Sequence, residues 1–309
     1  MPTSRIPALT ADADQQECSS PTARSVRSAA LSSLLRSYSI EVTSIDASSI
    51  AVAGQMLPAG SEVFIVSLPK DAPETLIFAS VKLRRLGLIP VPHIVARNID
   101  SPVKLKSLLQ GLAEEAGIDR ALILGGDRDL PSGSFDQSLQ LLETGYFSRF
   151  NIRKLYLACY PEGHPRIPSD SLINARTTKL AAAQRTEMDV TLLSQFCFSA
   201  EPVLQYARAI RSQGVTVPFR VGVAGPASRA RLMKFAIMCG IGPSLRVLKE
   251  REHLASNMLS GATPHDMLEE LAMAQSREPE LGISGIHFFT FGSVAKTIEF
   301  TKEATRMGA

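Results

Sequence analysis

The chain has few of the features that mark metal-binding, disulfide-rich, membrane or nucleic-acid-binding proteins. It has four cysteines in 309 residues, and none stands in a CxxC or Cys/His metal-ligand spacing. No apolar run approaches the roughly 18 residues that cross a bilayer, and 33 basic residues nearly balance 30 acidic ones. We therefore expect reduced, buried thiols, a cytoplasmic location, and no metal, membrane or nucleic acid as partner.

Glycine-rich phosphate-binding motifs are also absent in their usual forms. Residues 125–133, with the sequence GGDRDLPSG, follow an apolar run but match neither GxGxxG nor GxxxxGK[ST]. Glycine permits close approach of the backbone to a bound molecule. We interpret this segment as a generic ligand loop.

Short apolar runs alternate with longer amphipathic stretches along most of the chain. This order predicts parallel strands joined by right-handed helical crossovers. The apolar runs predicted as strands lie at 39–42, 63–67, 88–93, 121–127, 190–195, 219–223 and 286–292. One more predicted strand begins near residue 153. We predict an α/β protein, a single (βα)8 TIM barrel over residues 25–309 with an extra N-terminal helix, preceded by a disordered arm at 1–24.

Polar side chains stand at the carboxyl ends of these predicted strands, where the active site of such a barrel lies. The segment at 158–165, ACYPEGHP, combines a flat tyrosine ring, a carboxylate and an imidazole with two stiffening prolines. A turn with an exposed glutamate and a capping histidine is the alternative interpretation of that octapeptide. The residues that one site would gather are Glu41, Ser67, His93, Asp127, Tyr160 and Gln195.

Several of these motifs resemble, in the same order, those of the bacterial methylenetetrahydrofolate reductase family of flavin-containing barrels. The similarity extends from about residue 39 to the carboxyl end. The most recognisable segment is Tyr-Pro-Glu-Gly-His-Pro at 160–165. The others are Ser-Ile-Glu at 39–41, Pro-His at 92–93, Gly-Asp at 126–127, Ser-Gln-Phe at 194–196, Lys-Phe at 234–235 and His-Phe-x-Thr at 287–290.

The resemblance implies an oxidoreductase of one-carbon metabolism, serving methionine biosynthesis or running in reverse. NADH or NADPH would reduce FAD, and the flavoprotein would pass hydride to 5,10-methylenetetrahydrofolate to give 5-methyltetrahydrofolate. Glu41 would be the general acid that opens the folate ring, and Asp127 would tune charge beside the flavin. Glu41, Gln195 and Phe235 would contact the substrate. The implied FAD-binding residues are Ser67, His93, Leu124, Gly125, Gly126, Asp127, Ala158, Tyr160 and His164.

Two positions depart from the family pattern. Gly125 and Ser293 stand where family members commonly have arginine, and Asp170 and Lys179 are the candidates for flavin-phosphate contacts. These departures leave open a flavin-independent enzyme that binds folate and NAD(P)H, or a non-catalytic folate-binding protein on the same barrel. A homo-oligomer also stays open as the family's usual assembly.

Structural roles are the alternative for three of the candidate residues. Glu41 can be an interior carboxylate paired with a cation, and Asp127 can cap a turn. Phe235 lies among apolar residues of a predicted helix, which is typical of a core position.

Overall fold

Eight parallel strands form a closed barrel in a computed structural model that describes residues 21–239 and 264–306. Each strand pairs with the next along the chain, and β8 pairs with β1. The strands are β1 Ser39–Thr43, β2 Glu62–Val66, β3 Ile89–Val95, β4 Arg120–Leu124, β5 Lys154–Cys159, β6 Asp189–Ser194, β7 Phe219–Ala224 and β8 Ile283–Phe289. The predicted α/β class and (βα)8 barrel are confirmed.

The last strand differs from its predicted position at 286–292. It begins three residues earlier and ends at Phe289, because Phe291 and Gly292 adopt positive φ angles of 48° and 75° that turn the chain away from the sheet. Thr290 therefore lies just beyond β8, where its hydroxyl donates to the backbone oxygen of Glu41 at 2.9 Å.

Helices alternate with the strands and cover the barrel. Proline at the first position starts α3 and α4, and Gly117 ends α4 with a left-handed φ of 59°. The helices are α1 Pro21–Leu35, α2 Ala47–Met56, α3 Pro73–Arg85, α4 Pro102–Ala116, α5 Ser138–Glu143, α6 Tyr146–Arg149, α7 Ser169–Arg185, α8 Ala200–Ser212, α9 Arg229–Cys239, α10 His265–Arg277 and α11 Val294–Arg306.

The extra N-terminal helix, α1, begins at Pro21, four residues before the predicted start at 25. Proline suits the first turn because its fixed φ is helical and the missing N–H has no intrahelical partner there. The helix packs against α10, α11 and β8. The predicted arm at 1–24 lies outside the described residues up to position 20.

Strand side chains alternate between two apolar regions. Outward residues such as Ile40, Leu157 and Val221 join the main core beneath the helices. Inward residues make a separate cluster of Phe64, Val91, Leu122, Tyr156 and Leu193. The middle of the barrel is therefore filled with side chains, and space for a ligand lies at an end.

An ion-paired cluster occupies the amino end of the barrel. Glu62 on β2 accepts hydrogen bonds from Arg120 on β4 and from the hydroxyl of Tyr156 on β5, the latter at 2.8 Å. Arg220 on β7 places Nη1 2.8 Å from Glu62 Oε2, an ion pair whose angle departs from hydrogen-bond geometry. Burial alone would raise the pKa of Glu62, but Arg220, Tyr156 and Arg120 together lower it.

Three of the four cysteines lie in the described part of the chain. Cys159 and Cys197 are free and buried, and Cys239 is free and half-buried. Burial raises the pKa of Cys159 to about 12. Cys18 lies outside the described residues, and no helix within them is long and apolar enough to cross a bilayer.

Candidate functional site

Glu41 projects from the middle of β1 into the carboxyl end of the barrel. Its side chain is 15% exposed, and no cation lies within ion-pair distance among residues 21–239 and 264–306. Burial raises its pKa from 4.5 to about 8. At neutral pH the carboxyl group therefore keeps its proton and can act as an acid.

Two uncharged imidazoles lie in the barrel interior, and one of them, His287, is next to Glu41. His287 on β8 contacts the hydroxyl of Ser39 at 2.9 Å through Nδ1, and His93 on β3 has a buried Nε2 without a hydrogen-bond partner in the described chain. Burial lowers the pKa of both histidines to about 3. The ring of Phe64 packs against both, with centroids 4.4 Å from His287 and 6.1 Å from His93. These neighbours supply no positive charge to Glu41 near neutral pH.

One side of the barrel mouth is formed by the ends of β4 and β5. Leu124 and Ala158 are half-buried there. Tyr160 and His164 meet edge to face, with ring centroids 5.0 Å apart, and the His164 Nδ1 accepts the backbone N–H of Arg166 at 3.2 Å. Together these side chains form a largely apolar surface that suits a flat ring.

Asp127 lies on the outer rim of the mouth, and its side chain is 97% exposed. Arg166 ties this loop to the β5 loop through Asp129 Oδ1 at 3.0 Å, while its Nη2 lies 3.9 Å from Asp127 Oδ1. Gly126, with a φ of 106°, is required because a Cβ would lie 2.5 Å from Val95 Cγ1. The structure thus keeps the predicted flavin-side carboxylate near the mouth but turned toward solvent.

Phenylalanines form the opposite side of the mouth. Phe235 on α9 lies 4.7 Å from Phe291 with planes 31° apart, and Phe289 stacks on Phe291 at 6.4 Å. Gly222 makes room for this arrangement, since a Cβ there would lie 2.8 Å from Phe289 Cε2 and 2.3 Å from the Ser194 oxygen. The aromatic wall, as we call it, consists of Phe196, Phe198, Phe235, Phe289 and Phe291.

Two of the predicted substrate contacts lie at this aromatic wall. Phe235 is half-buried among the other rings, so it can serve both packing and ligand contact. Gln195 follows β6 and is also half-buried, and its Oε1 accepts the backbone N–H of Phe196 at 3.0 Å. That hydrogen bond fixes the side chain and leaves the amide nitrogen as the group that can donate to a ligand.

The remaining predicted contacts are spread around the rim. Ser67 is half-buried just after β2, and Gly125 accepts the backbone N–H of Arg97 at 2.9 Å. Asp170 is exposed in the first turn of α7, whereas Lys179, later in that helix, is half-buried and its pKa is lowered by burial. The two phosphate-contact candidates therefore lie roughly 13 Å apart along the helix axis.

Arg231 is a site residue that sequence reasoning missed. Its Nη1 donates to the Phe291 oxygen at 2.7 Å and lies 3.4 Å from the hydroxyl of Ser293. In the described part of the chain no carboxylate pairs with this guanidinium. The sequence did not reveal this residue because Arg231 lies on α9, which follows β7, whereas its partners lie in the loop after β8. In that loop the sequence shows a serine and no cation.

Helix α9 also reaches across the mouth toward the acidic residues. Burial raises the pKa of Cys239, at the end of α9, to about 11, and the nearby charges of Asp127 and Glu41 add to that rise. Within the described residues no group of three or more His, Cys, Asp or Glu is placed to hold a metal ion.

Taken together, the fold and site define a (βα)8 barrel with a protonated acid beneath an aromatic-lined mouth. No protein-family model matches the sequence of the chain. The structure is similar to that of an uncharacterized protein from Clostridium thermocellum that binds two copies of 5-methyl-5,6,7,8-tetrahydrofolic acid, with a TM-score of 0.56 and 11% identity. The match covers 87% of this chain and 94% of that one. At this identity the similarity establishes the fold alone.

Proposed function

We propose that the chain binds a reduced folate at the carboxyl end of its barrel and acts as a 5,10-methylenetetrahydrofolate reductase. The observation that carries this proposal is Glu41, an isolated buried acid whose pKa of about 8 keeps it protonated at neutral pH. Opening the methylene bridge requires a proton on the departing amine, which such an acid supplies. The similarity to a barrel that binds 5-methyltetrahydrofolate supports the substrate class.

The two sides of the mouth suit a folate in different ways. The aromatic wall offers ring faces to a pterin, and the fixed amide of Gln195 offers a donor to its polar edge. Arg231 offers a guanidinium to a carboxylate of the p-aminobenzoyl-glutamate portion. In this arrangement α9 and the phenylalanines exclude water from Glu41, which preserves its proton for the ligand.

The residues on the opposite side fit a flavin. His93 has a buried Nε2 without a partner in the described chain, as expected of an atom that hydrogen-bonds a ligand. A bound FAD would carry hydride from NADH or NADPH to the folate. The residues that would hold it are Ser67, His93, Leu124, Gly125, Gly126, Asp127, Ala158, Tyr160 and His164, with Asp127 turning inward from its exposed position.

A folate-binding protein without flavin is the second candidate. Gly125 and Ser293 leave the mouth without two arginines typical of the reductases, and Arg231 restores a cation only beside Ser293. The similar barrel from Clostridium thermocellum binds two copies of 5-methyl-5,6,7,8-tetrahydrofolic acid, which supports this candidate as well as the first. This candidate shares the folate site with the first and differs in lacking hydride chemistry.

A spectroscopic titration separates the two candidates. The purified protein is mixed with FAD and gel-filtered, and NADH and then methylenetetrahydrofolate are added without oxygen. A reductase retains flavin absorbance that bleaches with NADH and returns with the folate, while Glu41→Gln retains the NADH step and loses the folate step. A colourless protein that still binds 5-methyltetrahydrofolate by calorimetry is the second candidate. Failure to bind either ligand would refute both.

A further inference from the structure

The outward face of α3 carries a large exposed aromatic ring between two opposite charges. Phe78 is 74% exposed, although phenylalanine is among the residues most often buried. Glu74, which is exposed, lies about one helical turn before it, and Lys82, which is half-buried, lies about one turn after it. The buried residues of the helix are Leu76, Ala79, Ser80 and Leu83. They lie on the opposite side, so packing of the core does not account for Phe78.

The three residues form a row on the helix surface, which we call the α3 ridge: Glu74, Phe78 and Lys82. Within residues 21–239 and 264–306 neither charge of this row takes part in an ion pair. The two charges are about 12 Å apart along the helix axis, which is too far for them to pair with each other. Rows with a spacing of four residues are the ridges that pack into the grooves of another helix. The α3 ridge therefore has the shape and the charges for a helix–helix contact.

We propose that the α3 ridge binds the α3 ridge of a second copy of this chain, forming a dimer with two-fold symmetry. In an antiparallel arrangement centred on Phe78, the two rings pack together and Glu74 lies beside Lys82 of the partner subunit at both ends of the contact. A parallel arrangement would instead bring each glutamate to a glutamate and each lysine to a lysine. The order of charge along the ridge therefore favours a second copy as the partner, in the antiparallel direction.

Helix α4, which packs beside α3, carries charge in the reverse order. Lys104 is exposed in its first turn, and Glu114 and Glu115 are exposed in its last. This order opposes the helix macrodipole, so the stability of the helix itself does not explain it. In the antiparallel dimer α4 faces α4 of the partner subunit, with its basic end toward the acidic end of the other. Val103, 75% exposed at the start of α4, adds apolar surface on this side of the ridge.

The proposed contact leaves both candidate ligand sites open. The ridge lies on the outer side of the barrel, whereas the candidate site lies at the carboxyl ends of the strands. Antiparallel α3 helices place the two barrels side by side, with their mouths pointing in roughly opposite directions. The dimer is therefore independent of the proposed function, and a variant that loses it is expected to bind folate as the wild type does.

The first test is the mass of the protein by analytical ultracentrifugation across the micromolar range. We expect the wild type to have at least twice the 33.3 kDa of one chain. Phe78→Asp is expected to halve that mass, because it places two carboxylates at the apolar centre of the contact. The side chain is exposed within one chain, so the secondary structure of the variant should match that of the wild type by circular dichroism.

A charge exchange distinguishes the α3 ridge from any other face. Glu74→Lys or Lys82→Glu alone brings like charges together at both ends of the contact and should weaken the dimer on the order of 10-fold. The double variant Glu74→Lys/Lys82→Glu recreates both pairs and should restore the wild-type dissociation constant. Lys302→Glu, at an exposed lysine on α11, is the matched control and should leave the dimer intact.

Three results would overturn the proposal. They are a monomeric wild type, an assembly that a folded Phe78→Asp variant leaves unchanged, and a double variant that associates no more tightly than the single ones. The charge variants decide the question if Phe78→Asp does not fold. None of these measurements requires a folate or a flavin, so they stand whether or not the protein is a reductase.

Discussion

Two glutamates point into the same barrel from neighbouring strands and meet opposite surroundings. Glu62, on β2 at the amino end, is 12% exposed and bound by Arg120, Arg220 and the Tyr156 hydroxyl. Glu41, on β1 at the carboxyl end, is 15% exposed and faces uncharged neighbours. The pKa of the first is lowered and that of the second is raised to about 8. Two carboxyl groups with similar burial therefore have opposite charge states at neutral pH. The presence or absence of cationic partners determines which state each one adopts.

The difference separates structural roles from chemical ones. A buried carboxylate with two guanidinium partners is fixed in the ionised state, and removing it leaves charge uncompensated. A buried carboxyl group without a cation is held neutral at a cost that the rest of the fold must offset. Such a cost at the ligand-binding end of a barrel is characteristic of a functional group.

The largest effect is expected from removing charge at the amino end. Glu62→Gln leaves Arg220 buried without an anion and leaves Arg120 with Asp119 as its remaining anionic partner, and we expect a loss of about 3–5 kcal/mol in the free energy of unfolding. Urea denaturation at pH 7 measures it. The contrast between the two ends would be wrong if Glu62→Gln cost no more than Glu41→Gln under the same conditions.

Glu41→Gln is expected to stabilise the protein in a pH-dependent manner. The folded pKa of about 8 lies above the ordinary 4.5, so the wild type loses stability as pH rises from 4.5 toward 8, while the amide does not. The gain should be on the order of 2–4 kcal/mol at pH 8 and near zero at pH 4.5. Urea denaturation of both proteins at the two pH values tests the sign. A gain that is equal at both would show that the carboxyl group is not held neutral.

The smallest effect is expected at the rim. If Arg231 binds a ligand carboxylate, Arg231→Ala should weaken 5-methyltetrahydrofolate binding about 5–10-fold, or about 1–1.4 kcal/mol, with little change in stability. Calorimetry gives the dissociation constant, and Lys302→Ala, at an exposed cation on α11, is the control. Equal affinity for the variant and the wild type would remove Arg231 from the ligand site.

The carboxyl end was more readily predicted from sequence than the amino end. Glu41, His93 and Asp127 lie on predicted strands, although the observed β4 ends at Leu124, and the parallel topology brings the carboxyl ends of the strands together at one mouth. Glu62, Arg120 and Arg220 stand at strand beginnings, where the sequence shows only isolated charges next to apolar runs. Their meeting depends on strand tilt and barrel closure, which local patterns do not encode.

Orientation was the other property that the sequence could not provide. Nothing in the Gly-Asp segment indicates that Asp127 is 97% exposed and lies near Arg166, because that contact joins two loops. Arg231 was missed for the same reason, since its partner oxygen belongs to Phe291 in a different loop. Loop-to-loop geometry follows from packing, and single-residue motifs do not determine it.

The cluster around Glu62 ties β2 to β4, β5 and β7, so it spans both halves of the barrel at the end opposite the candidate site. The amino end therefore stabilises the barrel independently of the loops at the carboxyl end. Loops at the other end can be exchanged, lengthened or recombined while the same four strands remain fastened together. Such a barrel is a suitable starting point for directed evolution toward new ligands. The loop residues that would be varied are different from the residues that stabilise the barrel.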